Sequence, residues 1–158
     1  MHLGWTPSSA LTGPAAVLGE PSLKGHTLAA EEINAQGGFL GKRKIETITA
    51  DEAAGTDANV KELRRMKLEG NIDLFTGVIS SGNSPALGPV SEELSLLTVF
   101  TDGCTDFLFD KAVPNPKYLF RLTNIQSADG ITSAIGTAQT WPQVRRIARA
   151  SNKGDCDL

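Results

Sequence analysis

Residues 72–94 read IDLFTGVISSGNSPALGPVSEEL, and this stretch decides the fold class. Its mostly apolar beginning predicts a buried strand over residues 72–79. A short Ser/Gly loop follows, and Ser84 as N-cap with Pro85 at the first helical position predicts a helix. The inner face of that helix is expected to carry three residues at steps of four, Ala86, Val90 and Leu94. A strand that ends in a small polar loop at a helix start is typical of α/β proteins that hold a ligand there.

The same alternation of strand and helix runs along the chain on both sides of this stretch. Short apolar or alternating runs predict four further strands, at residues 2–5, 44–51, 96–101 and 118–123. Alternation of this kind predicts a parallel sheet with helices on both faces. Ligands of such sheets lie beyond the carboxyl ends of the strands. This rule brings together three loops, at residues 6–21, 80–84 and 102–107.

Two amphipathic helices are predicted before the quoted stretch. The first covers residues 22–38, with Ser22 as N-cap and a Gly-Gly pair at its end. Its buried face is expected to carry His26, Ala29, Ala30 and Ile33. The second is capped by Asp57, and its inner face is expected to carry Val60, Leu63 and Met66.

Composition excludes several classes of protein. The 158 residues, 40% of them hydrophobic, suit one globular domain, and the net charge of −3 argues against a nucleic-acid surface. No apolar run approaches the roughly 20 residues that span a bilayer, so no direct membrane insertion is expected. The opening MHLGWTPSS has no basic start and no long apolar stretch, so no signal peptide is predicted in this sequence. Cys104 and Cys156 are interpreted as two unpaired thiols rather than a disulfide.

Motifs for catalysis, nucleotides and metals are absent or incomplete. GGFLGKR, at residues 37–43, departs from a P-loop and follows a helix rather than a strand. His26 is interpreted as a core or boundary residue, and Cys104 has no adjoining basic side chain that would activate it. Asp51 and Glu52 end a strand and would suit a metal or a phosphoryl group, but loop solvation and capping of the next helix is the preferred interpretation. No enzyme, metal site or cofactor is therefore predicted.

Two of the ligand-side loops offer hydrogen-bonding groups for a small polar solute. The backbone N–H groups and hydroxyls of Ser80 and Ser81, at a helix start, favour a carboxylate or another polar head. The loop at Gly103, Cys104 and Thr105 would add N–H groups, a hydroxyl and a Gly103 carbonyl that accepts from an ammonium. The alternative, that both loops merely cap their own helices, stays open on chemistry alone.

A series of stretches, in order along the chain, carries a family resemblance. They are LTGPAAVLG (11–19), GHTLAAEEINAQGGFLGKRKIE (25–46), TADEAAGTDANV (49–60), GVISSGNSPALGPVSEELSLL (77–97), DGCTDFL (102–108) and PNPKYLFRLTNIQSADG (114–130). Over about residues 3–148 the chain resembles the extracellular (periplasmic) solute-binding proteins of ABC importers, of the branched-chain amino acid (Leu/Ile/Val) binding type. The resemblance implies a type I periplasmic-binding-protein lobe with strand order 2-1-3-4-5.

The resemblance also implies roles for particular residues. One of Ser80 and Ser81 would grip the ligand carboxylate, and Gly103, Cys104 and Thr105 would complete the grip and take the ligand amine. Leu18 would touch the ligand side chain. The implied partners are a small solute and, through the complete receptor, the membrane permease of an ABC importer. A periplasmic or extracellular location is implied, and the alternative function is the ligand-sensing domain of an intracellular regulator.

Family members are more than twice as long, which implies that this chain is an N-terminal fragment. The expected division is a first lobe at 1–122, a hinge crossover at 123–125, a truncated second lobe at 126–150 and an irregular tail at 151–158. The truncated part would contain one helix, with Ile131, Ile135 and Ala138 inward, and the start of one strand. With its sheet missing, this part is expected to expose Ile131, Ile135 and Trp141.

Overall fold

The computed structural model describes residues 3–146. Strands and helices alternate, with the bounds β1 (Leu3–Ser9), α1 (Ala16–Ala35), β2 (Ile45–Thr47), β3 (Ala50–Asp51), α2 (Thr56–Leu68), β4 (Leu74–Gly77), α3 (Ser84–Glu93), β5 (Leu97–Phe100), β6 (Leu119–Arg121) and α4 (Gln126–Thr140). A 3₁₀ turn follows β3 at Glu52–Ala54, and a π turn precedes β6 at Leu108–Ala112. Among the described residues, no helix combines the length and apolarity that crossing a bilayer requires.

All strand pairs in the sheet are parallel, and the order is β2-β1-β4-β5-β6 with β3 also paired to β1. β2 and β3 continue one register, since Leu3 pairs with Ile45 and Ser9 with Asp51. Their interruption falls opposite Pro7, whose backbone has no N–H to donate. Counted as one interrupted strand, they confirm the predicted strand at 44–51 and the predicted order 2-1-3-4-5.

The helices cover both faces of the sheet, as predicted. Phe75 and Thr76 are neighbours on β4, so their side chains point to opposite faces. Phe75 belongs to the buried cluster formed with α2 and α3, whereas Thr76 lies 3.3 Å from His26 Nε2 of α1. The core therefore fills the α2–α3 side of the sheet, and its buried members are Leu63, Met66, Ile72, Phe75, Val78, Leu87, Val90, Leu96, Phe100, Leu108, Val113 and Leu119.

α1 begins at Ala16, so the prediction of a start at Ser22 is wrong. Pro21 lies inside the helix, and a Pro-Ser pair is an ordinary sign of a helix start. The earlier start depends on Gly19, which is buried where α1 crosses the backbone of Ala10 at the end of β1. The predicted inner face is confirmed, because Ala30 is buried and His26, Ala29 and Ile33 are half-buried.

The predicted caps of the next two helices are each displaced. Gly55 precedes α2, and Asp57 lies in its first turn without capping it. Asn83 precedes α3, and the buried Ser84 is already the first helical residue. Periodicity was the better guide to packing: Leu63 and Met66 are buried and Val60 half-buried. On α3 the buried face is centred on Leu87 and Val90, while the predicted Ala86 and Leu94 are half-buried at its margins.

α4 contains no buried residue in the described part of the chain. Ile131 and Ile135 are 60% and 52% exposed, and Ala138 is exposed as well, so the predicted inward face has no cover among residues 3–146. Trp141 is 54% exposed, which confirms its expected exposure. Residues 141–146 form no strand, and the remainder of the predicted strand lies outside the described residues.

Candidate functional site

The three predicted ligand-side loops meet at the carboxyl ends of the strands, around an open pocket of about 490 Å³. Its walls come from the loop after β1 and the start of α1, the turn after β3, the loop after β4, and the loop after β5. The predicted residues that line it are Leu18, Ser80, Ser81 and Cys104. Leu18 is 58% exposed on α1 and forms an apolar part of the wall.

The loop after β4 begins with an unusual backbone conformation. Val78 is fully buried and has a φ of 67°, a region that β-branched residues rarely adopt. Such strain costs about 1–3 kcal/mol and persists where the surroundings over-determine it. Here the next two backbone N–H groups, of Ile79 and Ser80, are both bound by the carboxylate of Glu52.

The hydrogen bonds of this loop correct one expectation about it. The Ser80 N–H does not face a ligand, because it donates to Glu52 Oε1 at 3.1 Å. The Gly82 N–H donates to Ser80 Oγ at 3.2 Å, and the Asn83 N–H donates to the Ser80 carbonyl. Part of this loop therefore caps its own structure, while Ser80 and Ser81 still line the pocket.

The loop after β5 supplies one of its three predicted residues to the pocket wall. Cys104 lines the pocket, and its Sγ lies 3.6 Å from Ser81 Oγ. The carbonyls of Gly103 and Thr105 accept from Arg121 Nη1 at 3.3 and 2.7 Å. The Gly103 carbonyl thus already accepts one hydrogen bond within the protein, and its role as an acceptor for a ligand ammonium stays a prediction. Cys156 lies outside the described residues, so the prediction of unpaired thiols stays a prediction.

Asp51 holds the loop after β1 in place. Its Oδ1 accepts from the N–H groups of Leu11 and Ala53 at 2.9 and 3.0 Å, and its Oδ2 accepts from Thr12 Oγ1 at 2.8 Å. The hydrogen bond from Leu11 is the main cause that lowers the pKa of Asp51, and the other donors act in the same direction. Asp51 therefore caps the short 3₁₀ turn and ties it to a wall of the pocket.

Glu52 is the site residue that the sequence interpretation missed. The expectation of solvation and helix capping is wrong, since Glu52 is only 2% exposed and lines the pocket. Its Oε1 accepts from the Ile79 and Ser80 N–H groups at 2.8 and 3.1 Å. Its Oε2 is buried and has no hydrogen-bond partner among the described residues. The Asn83 side chain lies near the carboxyl group, but no hydrogen bond joins it to Oε2.

Burial raises the pKa of Glu52 above its ordinary value. The two backbone hydrogen bonds and the Asn83 side chain oppose this effect, whereas the nearby charge of Asp102 adds to it. Burial also raises the pKa of Asp102, whose Oδ1 accepts from the Gly103 N–H at 3.0 Å. Asp102 lines the same pocket, so two carboxyl groups with raised pKa values lie in its wall.

A parallel α/β sheet with a pocket at the carboxyl ends of its strands is the architecture of small-molecule binding lobes. The chain matches the periplasmic binding protein family over residues 8–150, and it belongs to that family. The Leu/Ile/Val-binding protein homolog 7 of Brucella melitensis is 32% identical over 104 residues, which are 66% of this chain and 26% of that protein. The chain thus spans about a quarter of the length of the curated relatives that it matches.

Solved structures share the fold. The branched-chain amino acid transporter substrate-binding protein of Streptococcus pneumoniae, in complex with isoleucine, has a TM-score of 0.72 at 23% identity over 80% of this chain and 35% of its own. A solute-binding protein of R. palustris in complex with benzoate has a TM-score of 0.76 at 21% identity over 89% and 38%. Both neighbours are thus described as substrate- or solute-binding proteins of transporters.

Proposed function

We propose that this chain forms one wall of the solute site of an ABC-importer receptor. The observation that carries the proposal is the meeting of three ligand-side loops around one pocket, in a chain of the periplasmic binding protein family. The complete receptor delivers its solute to a membrane permease. The family's description supports a periplasmic or extracellular location.

The proposed solute is a small amino acid, amide or related carboxylate. Structures of the same fold are described in complex with isoleucine, an amino acid, and with benzoate, a carboxylate without an amino group, and both belong to the proposed range of solutes. In our proposal Leu18 contacts the apolar part of the solute, and the Ser80 and Ser81 hydroxyls with Cys104 hold its polar head. Gly103 and Thr105 act through their backbone, since Arg121 fixes the carbonyls of both.

The proposed division of the chain places the site mainly on the first lobe, residues 1–122, with a hinge at 123–125. Residues 126–150 are proposed to begin a second lobe; residues 147–150 and the proposed tail at 151–158 lie outside the described residues. A second lobe would add charge-assisted hydrogen bonds worth about 1.5–3 kcal/mol each. The absence of two such bonds weakens binding by roughly 3–6 kcal/mol, or about 10²- to 10⁴-fold.

Ligand-observed NMR on the full 158-residue chain tests this proposal. L-isoleucine, L-leucine and benzoate are titrated to millimolar concentrations, and Ser80→Ala and Ser81→Ala are compared with the wild type. We expect weak binding by at least one solute and a further loss in one or both variants. The control is Ser95→Ala, an exposed serine beyond the end of α3 and away from the pocket. Micromolar affinity would contradict the one-wall proposal, and no binding by any solute would contradict solute binding itself.

A further inference from the structure

Two carboxyl groups give one side of the pocket an acidic character. We call Glu52 and Asp102 the acidic floor; both line the pocket, and the charge of Asp102 acts on Glu52. The described residues that line the pocket include no lysine, arginine or histidine. On this side of the pocket the two carboxyl groups are therefore not balanced by a positively charged side chain of the described residues.

The second observation is the unsatisfied oxygen of Glu52. This side chain is 98% buried, since its exposure is 2%, and its Oε2 has no partner among the described residues. A buried polar atom without a partner is costly, because it has lost water and gained nothing in exchange. A solute N–H group in the pocket offsets part of this cost through its attraction to the negative charge of the carboxylate.

The same carboxylate also removes the usual basis for anion binding at this edge. Backbone N–H groups before a helix ordinarily attract a ligand anion. Here the Ile79 and Ser80 N–H groups both donate to Glu52 Oε1, so the protein's own carboxylate occupies that position. A second anion placed beside it meets repulsion from Glu52 and from Asp102.

We propose that the acidic floor of Glu52 and Asp102 selects solutes that carry an N–H donor, ammonium or amide, over carboxylates that lack one. Asp102 is half-buried and contacts the solute, whereas Glu52 sets the polarity beneath it. The inference rests on the proposed function and makes it narrower, because it assigns the solute class within it.

Replacement of Glu52 by glutamine changes the Oε2 position from a hydrogen-bond acceptor to a hydrogen-bond donor. The Ile79 and Ser80 N–H groups require an acceptor, so the amide oxygen takes the position of Oε1. The amide NH₂ then takes the position of Oε2, where a donor replaces an acceptor in nearly the same shape. Asp102→Asn makes a similar change nearer the solute.

The test uses two pairs of solutes that differ in the N–H group. L-leucine is compared with isocaproate, which is leucine without its amino group, and benzamide is compared with benzoate. Dissociation constants are measured by ligand-observed NMR for the wild-type full chain, Glu52→Gln and Asp102→Asn. The control is Glu31→Gln, which removes the same charge from an exposed position on α1. Circular dichroism verifies that each variant is folded.

In the wild type we expect the N–H solute of each pair to bind about ten-fold more tightly, the scale set by one unsatisfied buried acceptor. In Glu52→Gln and Asp102→Asn the ratio falls by about ten-fold, while Glu31→Gln keeps the wild-type ratio. A wild-type ratio near one, or the wild-type ratio in both floor variants, overturns the inference and leaves the proposed function intact. Binding of none of the four solutes overturns both. The ratio of dissociation constants measured on the wild type tests the inference even if a variant fails to fold.

Discussion

At Gly19 the helix α1 passes close to the backbone of Ala10, just after β1, and replacement of this glycine by alanine tests why the helix lies there. A Cβ at this position would lie 2.5 Å from the Ala10 carbonyl carbon and would overlap the carbonyl oxygen. Non-bonded carbon atoms prefer about 3.5 Å, so relief of the contact with the carbonyl carbon alone requires the helix to move by about 1 Å, and the overlapping oxygen requires more. The obstacle is backbone on both sides, which cannot rotate away as a side chain does.

The expected loss of stability in Gly19→Ala is about 3 kcal/mol, the upper part of the range for overpacked sites. Gly25→Ala is the matched control, because it lies in the same helix and its Cβ meets nothing within 4 Å. Alanine there should stabilise the protein by about 1 kcal/mol through helix propensity. The two variants should therefore differ by about 4 kcal/mol.

Urea unfolding followed by circular dichroism measures this difference. With a slope of about 2 kcal/mol per molar urea, the midpoints of the two variants should lie about 2 M apart, on opposite sides of the wild type. Equal midpoints for Gly19→Ala and Gly25→Ala would refute the close approach as the reason for glycine. Because Ala10 and Leu18 both line the pocket, Gly19→Ala should also weaken solute binding.

Three further predictions concern carboxylates. Because the pKa of Glu52 is raised in the folded state, the contribution of Glu52 to stability is full below about pH 4.5 and is lost as the pH rises through the folded-state pKa. The stability of Glu52→Gln, measured by denaturation at a series of pH values, should therefore increase relative to that of the wild type as the pH rises. Because the pKa of Asp51 is lowered, the contribution of Asp51 to stability is present above about pH 3.8 and is lost on acidification. Near neutrality, Asp51→Ala should be less stable than the wild type by about 1–3 kcal/mol. A stability difference that stays constant down to about pH 2 would contradict this prediction. Glu92 Oε1 accepts from three successive N–H groups, at 117–119, so Glu92→Ala should speed their hydrogen exchange while amides in α1 stay unchanged.

Features that depend on local periodicity were predictable from the sequence. The five predicted strands and the inner faces of the first two helices follow from apolar spacing, which neighbouring residues determine. The alternation of strands and helices predicts that the strands are parallel, whereas their order was implied by the family resemblance. The start of α1 was not predictable in this way, because Pro21 and Ser22 have the local signature of a helix start. Its true start depends on the contact between Gly19 and Ala10, which only the assembled sheet brings together.

The candidate site was predicted at the level of loops but not of individual groups. The carboxyl-end rule placed the correct loops together, and Leu18, Ser80, Ser81 and Cys104 do line one pocket. Glu52 was missed because an acidic residue after a strand ordinarily meets solvent. Its burial is compensated by N–H groups 27 and 28 residues later in the chain, a pairing that no local pattern encodes.

The loop after β5 is joined to the base of α4 as well as to the pocket. The Cys104 carbonyl accepts from the Gln126 N–H at 3.0 Å, and Asp106 accepts from the Ser127 N–H and hydroxyl at 3.0 and 2.7 Å. Arg121 fastens the same loop to β6 through two carbonyls. The pocket wall at Cys104 and the first residues of α4 are thus linked directly by hydrogen bonds. A solute that displaced Cys104 would therefore also displace the first residues of α4, and a rotation there would move the exposed far end of the helix furthest.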